Sequence, residues 1–113
     1  MTTTTQITLH LISDPGHAWI ILPAPDAKRL GLTPADFTEF SFTRDGTIYA
    51  EEDADAHTVV AAHHRRYGTM PRIIEKSINH DAPLRSYARC LGGDHATRTW
   101  QSALRYLASI TGA

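Results

Sequence analysis

Turn-forming residues cut this chain into short segments, and the hydrophobic period inside each segment then decides what it can become. The breaks are Asp14-Pro15-Gly16, Pro23 and Pro25, Gly31, Asp45-Gly46, Gly68, the Asp and Pro of residues 79–85, and Gly92-Gly93. Between Gln6 and Ile12, Ile7, Leu9 and Leu11 alternate with Thr8 and His10, the two-residue period of a strand with one buried face. Asp-Pro-Gly suits a turn with proline fixing φ at its second position and glycine accepting positive φ at its third. A hairpin to a second strand over His17 to Leu22 follows.

Past the prolines, Asp26 to Leu30 reads as a short helix capped by Gly31, and Thr33-Pro34-Ala35-Asp36 as a helical turn with Thr33 as its N-cap. Strands are expected over Phe37 to Phe42 and Thr47 to Glu51, joined through Asp45-Gly46 so that Phe42 faces Tyr49. Ala56, Val59, Val60, His63 and Tyr67 recur at helical spacing between Asp53 as N-cap and Gly68. A half-buried strand over Met70 to Ile78, a loop over Asn79 to Arg85 and a short strand over Ser86 to Leu91 come next. In a final helix Trp100, Ala103, Leu104, Leu107 and Ile110 share one stripe. This order predicts a single α+β domain over residues 1–113, with an antiparallel or mixed sheet of about five strands packed by two longer helices.

With 42% hydrophobic and 20% charged residues the composition is that of a globular domain. The longest apolar run, Ala18 to Leu22, is too short to cross a bilayer or to form a signal-peptide centre, and the first residues carry no basic side chain. A cytoplasmic protein without a membrane partner is expected. Cys90 is the only cysteine, which excludes an intramolecular disulfide and a Cys-rich zinc site. Charge is uneven along the chain. Residues 1 to 57 hold nine carboxylates against three cations, net −6, whereas residues 58 to 113 hold eight cations against three carboxylates, net +5.

Four groups of residues could carry function. Glu51-Glu52-Asp53-Ala54-Asp55 with His57 has the oxygen and imidazole donors of a divalent-cation site, although acidic residues at a helix start also complement its partial positive charge. His63-His64-Arg65-Arg66-Tyr67 resembles a phosphate-binding patch at a helix end, with His63 itself on the apolar stripe and read as a packed, hydrogen-bonded residue. Cys90, His80 and Asp81 are the residue types of a thiol nucleophile, base and orienter, but a small buried thiol accounts for Cys90 equally. The loop Asn79 to Tyr87 gathers polar groups around Pro83, and Arg85 offers a two-pronged donor to a carboxylate or phosphate, whether of a partner or of this chain. No G-x-S-x-G, Walker, dinucleotide-glycine, H-E-x-x-H or EF-hand pattern occurs, so no catalytic residue, metal or cofactor is assigned.

The stretches Gly16-His17-Ala18-Trp19, Leu30-Gly31-Leu32, Phe40-Ser41-Phe42, Tyr49 to Asp55 and Asn79 to Tyr87 together resemble a family of small uncharacterised proteins of bacteriophages and mobile elements. The resemblance covers residues 16 to 90 and implies a setting, the host cytoplasm, in which small domains bind and block host machinery, as anti-CRISPR defence inhibitors do. It implies no catalytic residue. The expectation is a non-enzymatic binder of a host protein or protein–nucleic-acid complex, acting through an acidic surface of Glu51, Glu52 and Asp55 with His80, Asp81 and Arg85. The alternative is direct nucleic-acid binding through Arg65, Arg66, Arg72 and Lys76, and behind it a metal-dependent enzyme.

Overall fold

A computed structural model describes residues 5–90. Within them a six-stranded mixed sheet, in the order β5-β1-β2-β4-β3-β6, carries helices on one side and a loop on the other. The expected final helix lies outside the described residues.

Strands β1 (Thr8–Ser13) and β2 (Ala18–Leu22) form the predicted antiparallel hairpin, with Ile12 opposite Trp19. Strands β3 (Phe42–Arg44) and β4 (Thr47–Glu51) form the second, with Phe42 opposite Tyr49 as the turn chemistry requires. Asp45 at φ 52 and Gly46 at φ 84 both occupy left-handed backbone, the geometry that matches a two-residue turn to the strand twist. β2 pairs with β4 antiparallel. β5 (Arg72–Ser77) returns parallel to β1 after α2 (Ala56–Tyr67), and the two-residue β6 (Ala88–Arg89) closes against β3. The seven-residue α1 (Ala24–Leu30) ends at Gly31 in left-handed backbone, and a 3-10 turn over Pro34–Asp36 carries a capping box between Thr33 and Asp36.

Alternation divides the strand side chains between two cores. Leu9, Ile20, Leu22, Ile48 and Ala50 point to the helices and meet Ala27 and Leu30 of α1 and Val59 and Ala62 of α2. Trp19, Phe42, Ile12 and Tyr49 point the other way and are covered by Ile78, Ala82, Leu84 and Tyr87 of the segment after β5, here called the strap. His63, fully buried, ties α2 to both ends of this frame. Its Nε2 accepts the Ile7 N–H at 2.9 Å, which leaves Nδ1 to donate to the Thr69 carbonyl at 2.6 Å.

Three features differ from the sequence reading, the first two because a carboxylate captured local donors. Phe37 to Ser41 is a loop, since Asp55 Oδ2 accepts the Thr38 N–H at 3.0 Å and the Thr38 and Ser41 hydroxyls at 2.7 and 2.5 Å. The helix starts at Ala56 rather than beside Asp53, because Glu51 Oε2 accepts the Asp53 and Ala54 N–H groups at 2.9 and 2.7 Å and holds them in a turn. β5 is exposed throughout instead of half-buried, as the sheet's edge among the described residues.

Candidate functional site

The strap is held by one carboxylate. Asp14, at the end of β1, accepts the Gly16 and His17 N–H groups on Oδ1 at 3.0 and 2.9 Å, forming the β1–β2 turn. The same carboxylate reaches the strap 68 to 71 residues away. Oδ2 accepts the Ala82 N–H at 2.9 Å and Arg85 Nε at 2.7 Å, while Oδ1 accepts Arg85 Nη2 at 2.9 Å. The bidentate guanidinium, helped by the three amides, holds the Asp14 carboxyl far below the usual carboxylate range despite the opposing cost of burial. The same pairing raises Arg85 above its ordinary value.

Locked this way, Arg85 stands over Trp19, its guanidinium carbon 5.1 Å from the ring centroid. The arrangement recurs beside it. Arg89 covers Phe42 at 5.2 Å and Arg44 covers Tyr87 at 4.8 Å, and Tyr87 in turn packs on Tyr49 with centroids 5.3 Å apart. Three cations thus stand over three rings on the sheet face that the helices leave, with Tyr49 against the third. Register puts Arg72 beside Thr8 and Lys76 beside Ile12, and the pleat turns both to this same face. Each guanidinium also has a partner within the chain: Arg85 donates to Asp14, Arg89 Nη1 to the Glu39 carbonyl at 3.0 Å, and Arg44 Nε lies 3.8 Å from Asp45 Oδ2.

Between Arg85 and Arg89 a cleft of about 200 Å3 opens toward solvent, with Trp19 and Phe42 as its floor and His17, Phe40 and Glu51 round it. The exposed Phe40 ring, 41% accessible, stands at its edge, while Trp19 Nε1 donates to the Phe40 carbonyl at 3.4 Å. His17 Nδ1 lies 3.3 Å from Glu51 Oε1, so Glu51 is fixed by His17 and by the Asp53 and Ala54 amides together.

The residues singled out from sequence scatter. Glu51 and Asp55 are buried, 4% and 1% exposed, with their oxygens turned to internal donors, so the proposed acidic surface keeps only Glu52 of its three carboxylates. Burial, then Asp53, Glu51 and Glu75, push the Glu52 carboxyl upward. His80 and Asp81 are exposed on the strap, whereas Arg85 belongs to the Asp14 pair with a third of its side chain accessible. Of the four basic residues, Arg72 and Lys76 join the arginine face; Arg65 and Arg66 sit in the last turn of α2 on the helix side. Among the described residues no group of three or more His, Cys, Asp and Glu is arranged to hold a metal ion. Cys90 lies in the helix-side core, apart from the exposed His80 and Asp81, and burial with some help from Asp55 pushes its thiol up to about 12. It is therefore protonated at neutral pH.

Sequence reasoning missed Asp14, Arg44, Arg89 and Phe40. Asp14 reads locally as a turn residue, and nothing in the chain announces a partner some seventy positions on. Arg44 and Arg89 had one available signal, a strand position on the face opposite the apolar stripe: Phe42 and Arg44 share that face, and β6 brings Arg89 opposite Phe42, whereas Phe40 lies in the loop before β3. Comparison with protein-family models, with curated proteins and with solved structures finds no significant match to this chain.

Proposed function

We propose that the protein is a binding module for single-stranded nucleic acid, engaged through the sheet face that carries the strap. The observation behind this reading is the set of three arginines over aromatic rings, Arg44, Arg85 and Arg89, on the same sheet face as Arg72 and Lys76. A phosphate backbone needs several fixed cations along one track, and unpaired bases need apolar or aromatic surface beside them; this face supplies the two together. A slightly acidic net charge does not oppose this, because the cations are gathered on one face while Glu52 and Glu75 lie toward the other side of the sheet. In the phage setting implied by the sequence resemblance, such a module would compete for the nucleic acid of a host complex. The reading that rests on an acidic surface loses Glu51 and Asp55 to the interior and keeps Glu52 and Asp81.

The test is a comparison of two charge-removing pairs by the salt dependence of oligonucleotide binding. Arg72→Gln with Lys76→Gln should weaken binding and lower the logarithmic salt slope by roughly one per lost phosphate contact. Arg65→Gln with Arg66→Gln, on the helix side, should leave both unchanged. Equal losses from the two pairs, or no binding to single-stranded DNA or RNA at low salt, would overturn the proposal.

A further inference from the structure

The strap does not reach the whole of its face. Register sets one row of side chains across the sheet, Ile74 beside His10 and His10 beside Ile21, continuing through Tyr49 to Phe42. Tyr49 and Phe42 belong to the cluster under the strap. At the other end of the row His10 and Ile74 are exposed, Ile74 to 39%, and Ile21 is partly exposed. Arg72 and Lys76, both exposed, stand on the same face of β5 on either side of Ile74. At roughly 3.3 Å per residue they are about 13 Å apart along the strand, and their long side chains reach in from both ends. A lone exposed apolar residue is ordinary on a protein surface, whereas a planar ring flanked by two apolar side chains and bracketed by two cations is a composite surface.

From this arrangement we infer that the open end of the row is a base-stacking subsite for single-stranded nucleic acid: one unpaired base lies on the His10 imidazole, its edges over Ile74 and Ile21, and the phosphates on either side of it meet Arg72 and Lys76. Size decides the class of ligand. A specific protein partner needs about 800 Å2 on each side, far more than three side chains offer, whereas an unpaired base needs one ring of apolar surface with cations beside it. Imidazole is among the side chains on which unpaired bases stack. The phosphate contacts fall on β5, the edge strand among the described residues, so the sugar-phosphate chain can follow that edge while the base turns inward over β1 and β2. Along β1 the neighbours of His10 on this face are Thr8 and Ile12, and Ile12 is already packed against the strap, so the platform is one base wide. His10 is held by strand pairing on both sides, which sets the platform in advance of binding.

This inference rests on the single-strand reading above, and the test separates the two. A ten-nucleotide oligo(dA) and a ten-unit abasic strand with the same phosphates are titrated against the full chain by fluorescence anisotropy. The native protein should bind oligo(dA) about tenfold tighter than the abasic strand, the effect of one stacked base. His10→Ala should remove most of that advantage while leaving affinity for the abasic strand unchanged, and His10→Phe should keep it. Arg72→Gln with Lys76→Gln should weaken both strands alike. Thermal midpoints of the His10 variants should match the native one, as expected for an exposed side chain. Equal binding of the two strands, an advantage that survives His10→Ala, or one that is lost with His10→Phe overturns the subsite and leaves the basic face standing. A loss on His10→Ala that the abasic strand shares would mark the imidazole as an electrostatic contact and overturn the stacking. Absence of binding to both strands overturns the face and the subsite together.

Discussion

The two faces of the sheet are built by different chemistry. On the helix side Leu9, Ile20, Leu22 and Ile48 interlock with Leu30, Phe37 and Val59, and α2 adds the buried polar side chains of Thr58 and the bridging His63. On the strap side the apolar cluster is smaller, Trp19, Phe42, Ala82 and Leu84, and it is closed by a carboxylate with five donors and three stacked arginines. One face is held by contacts that any apolar residue of the right size could make. The other depends on particular atoms meeting across the described chain, and it sets arginines over aromatic rings. A binding surface and a stabilising core are thus separated by the thickness of one sheet.

The largest effect should come from the helix side. Leu22 is fully buried in the central strand β2, between β1 and β4. Leu22→Ala should cost about 3 to 5 kcal/mol through lost burial and a cavity that the packed strands cannot close. A denaturant midpoint shifted by less than about 1 kcal/mol equivalent would show that this face is loosely packed, and the contrast between faces would fail.

A smaller but more specific effect is expected at Asp14. All five groups that reach its oxygens are donors, so Asp14→Asn turns an amide NH2 against two of them and leaves Arg85 without its counter-charge. The expected loss is about 2 to 3 kcal/mol, in the lower part of the range for a broken desolvated pair because Arg85 keeps partial access to water. The pH dependence identifies the cause. A carboxyl held below its ordinary range in the folded state contributes stability that is complete above about pH 4, where unfolded aspartate is ionised, and that diminishes as the pH falls below it. The native protein should therefore lose stability on acidification below that point more steeply than the variant. Parallel acid limbs in urea titrations would mean that the carboxylate is not under the influence described.

The same contrast explains which parts were legible in the sequence. Both hairpins could be read, because the strand period and the turn residues act locally, although Gly16 does not take the positive φ expected of it and Asp14 Oδ1 holds that turn instead. So could the Phe42–Tyr49 pair and the packed His63. What could not be read were the long-range destinations of polar groups. Glu51 and Asp55 look like surface carboxylates in any local window, and only the fold shows that one organises the turn after β4 and the other the loop from Thr38 to Ser41. The edge strand β5 was misjudged for a related reason: its two isoleucines, Ile73 and Ile74, suggest burial, but they stand on opposite faces of an edge and remain 40% and 39% exposed. Arg85 was the divided case, with the fork of donors recognised and its acceptor unnamed.

That residue also gives the smallest and most discriminating prediction. Arg85→Lys preserves the charge beside Asp14 but replaces two parallel hydrogen bonds, at 2.7 and 2.9 Å, by one, and removes the flat group that lies over Trp19. An ammonium still neutralises a buried carboxylate, so the loss should be about 1 kcal/mol, well below that of Asp14→Asn. If Arg85 served the strap alone, this modest loss would be the whole phenotype and oligonucleotide binding would be unaltered. If its outer edge also receives phosphate, as the ring-stacked orientation favours, affinity should fall several-fold with the salt slope unchanged, because a charge is kept while its geometry is lost. Measuring the thermal midpoint and the salt-dependent affinity on this one variant assigns the guanidinium to the strap or to strap and ligand together: stability lowered with binding intact would confine it to architecture and leave any phosphate contact to the other cations of the face.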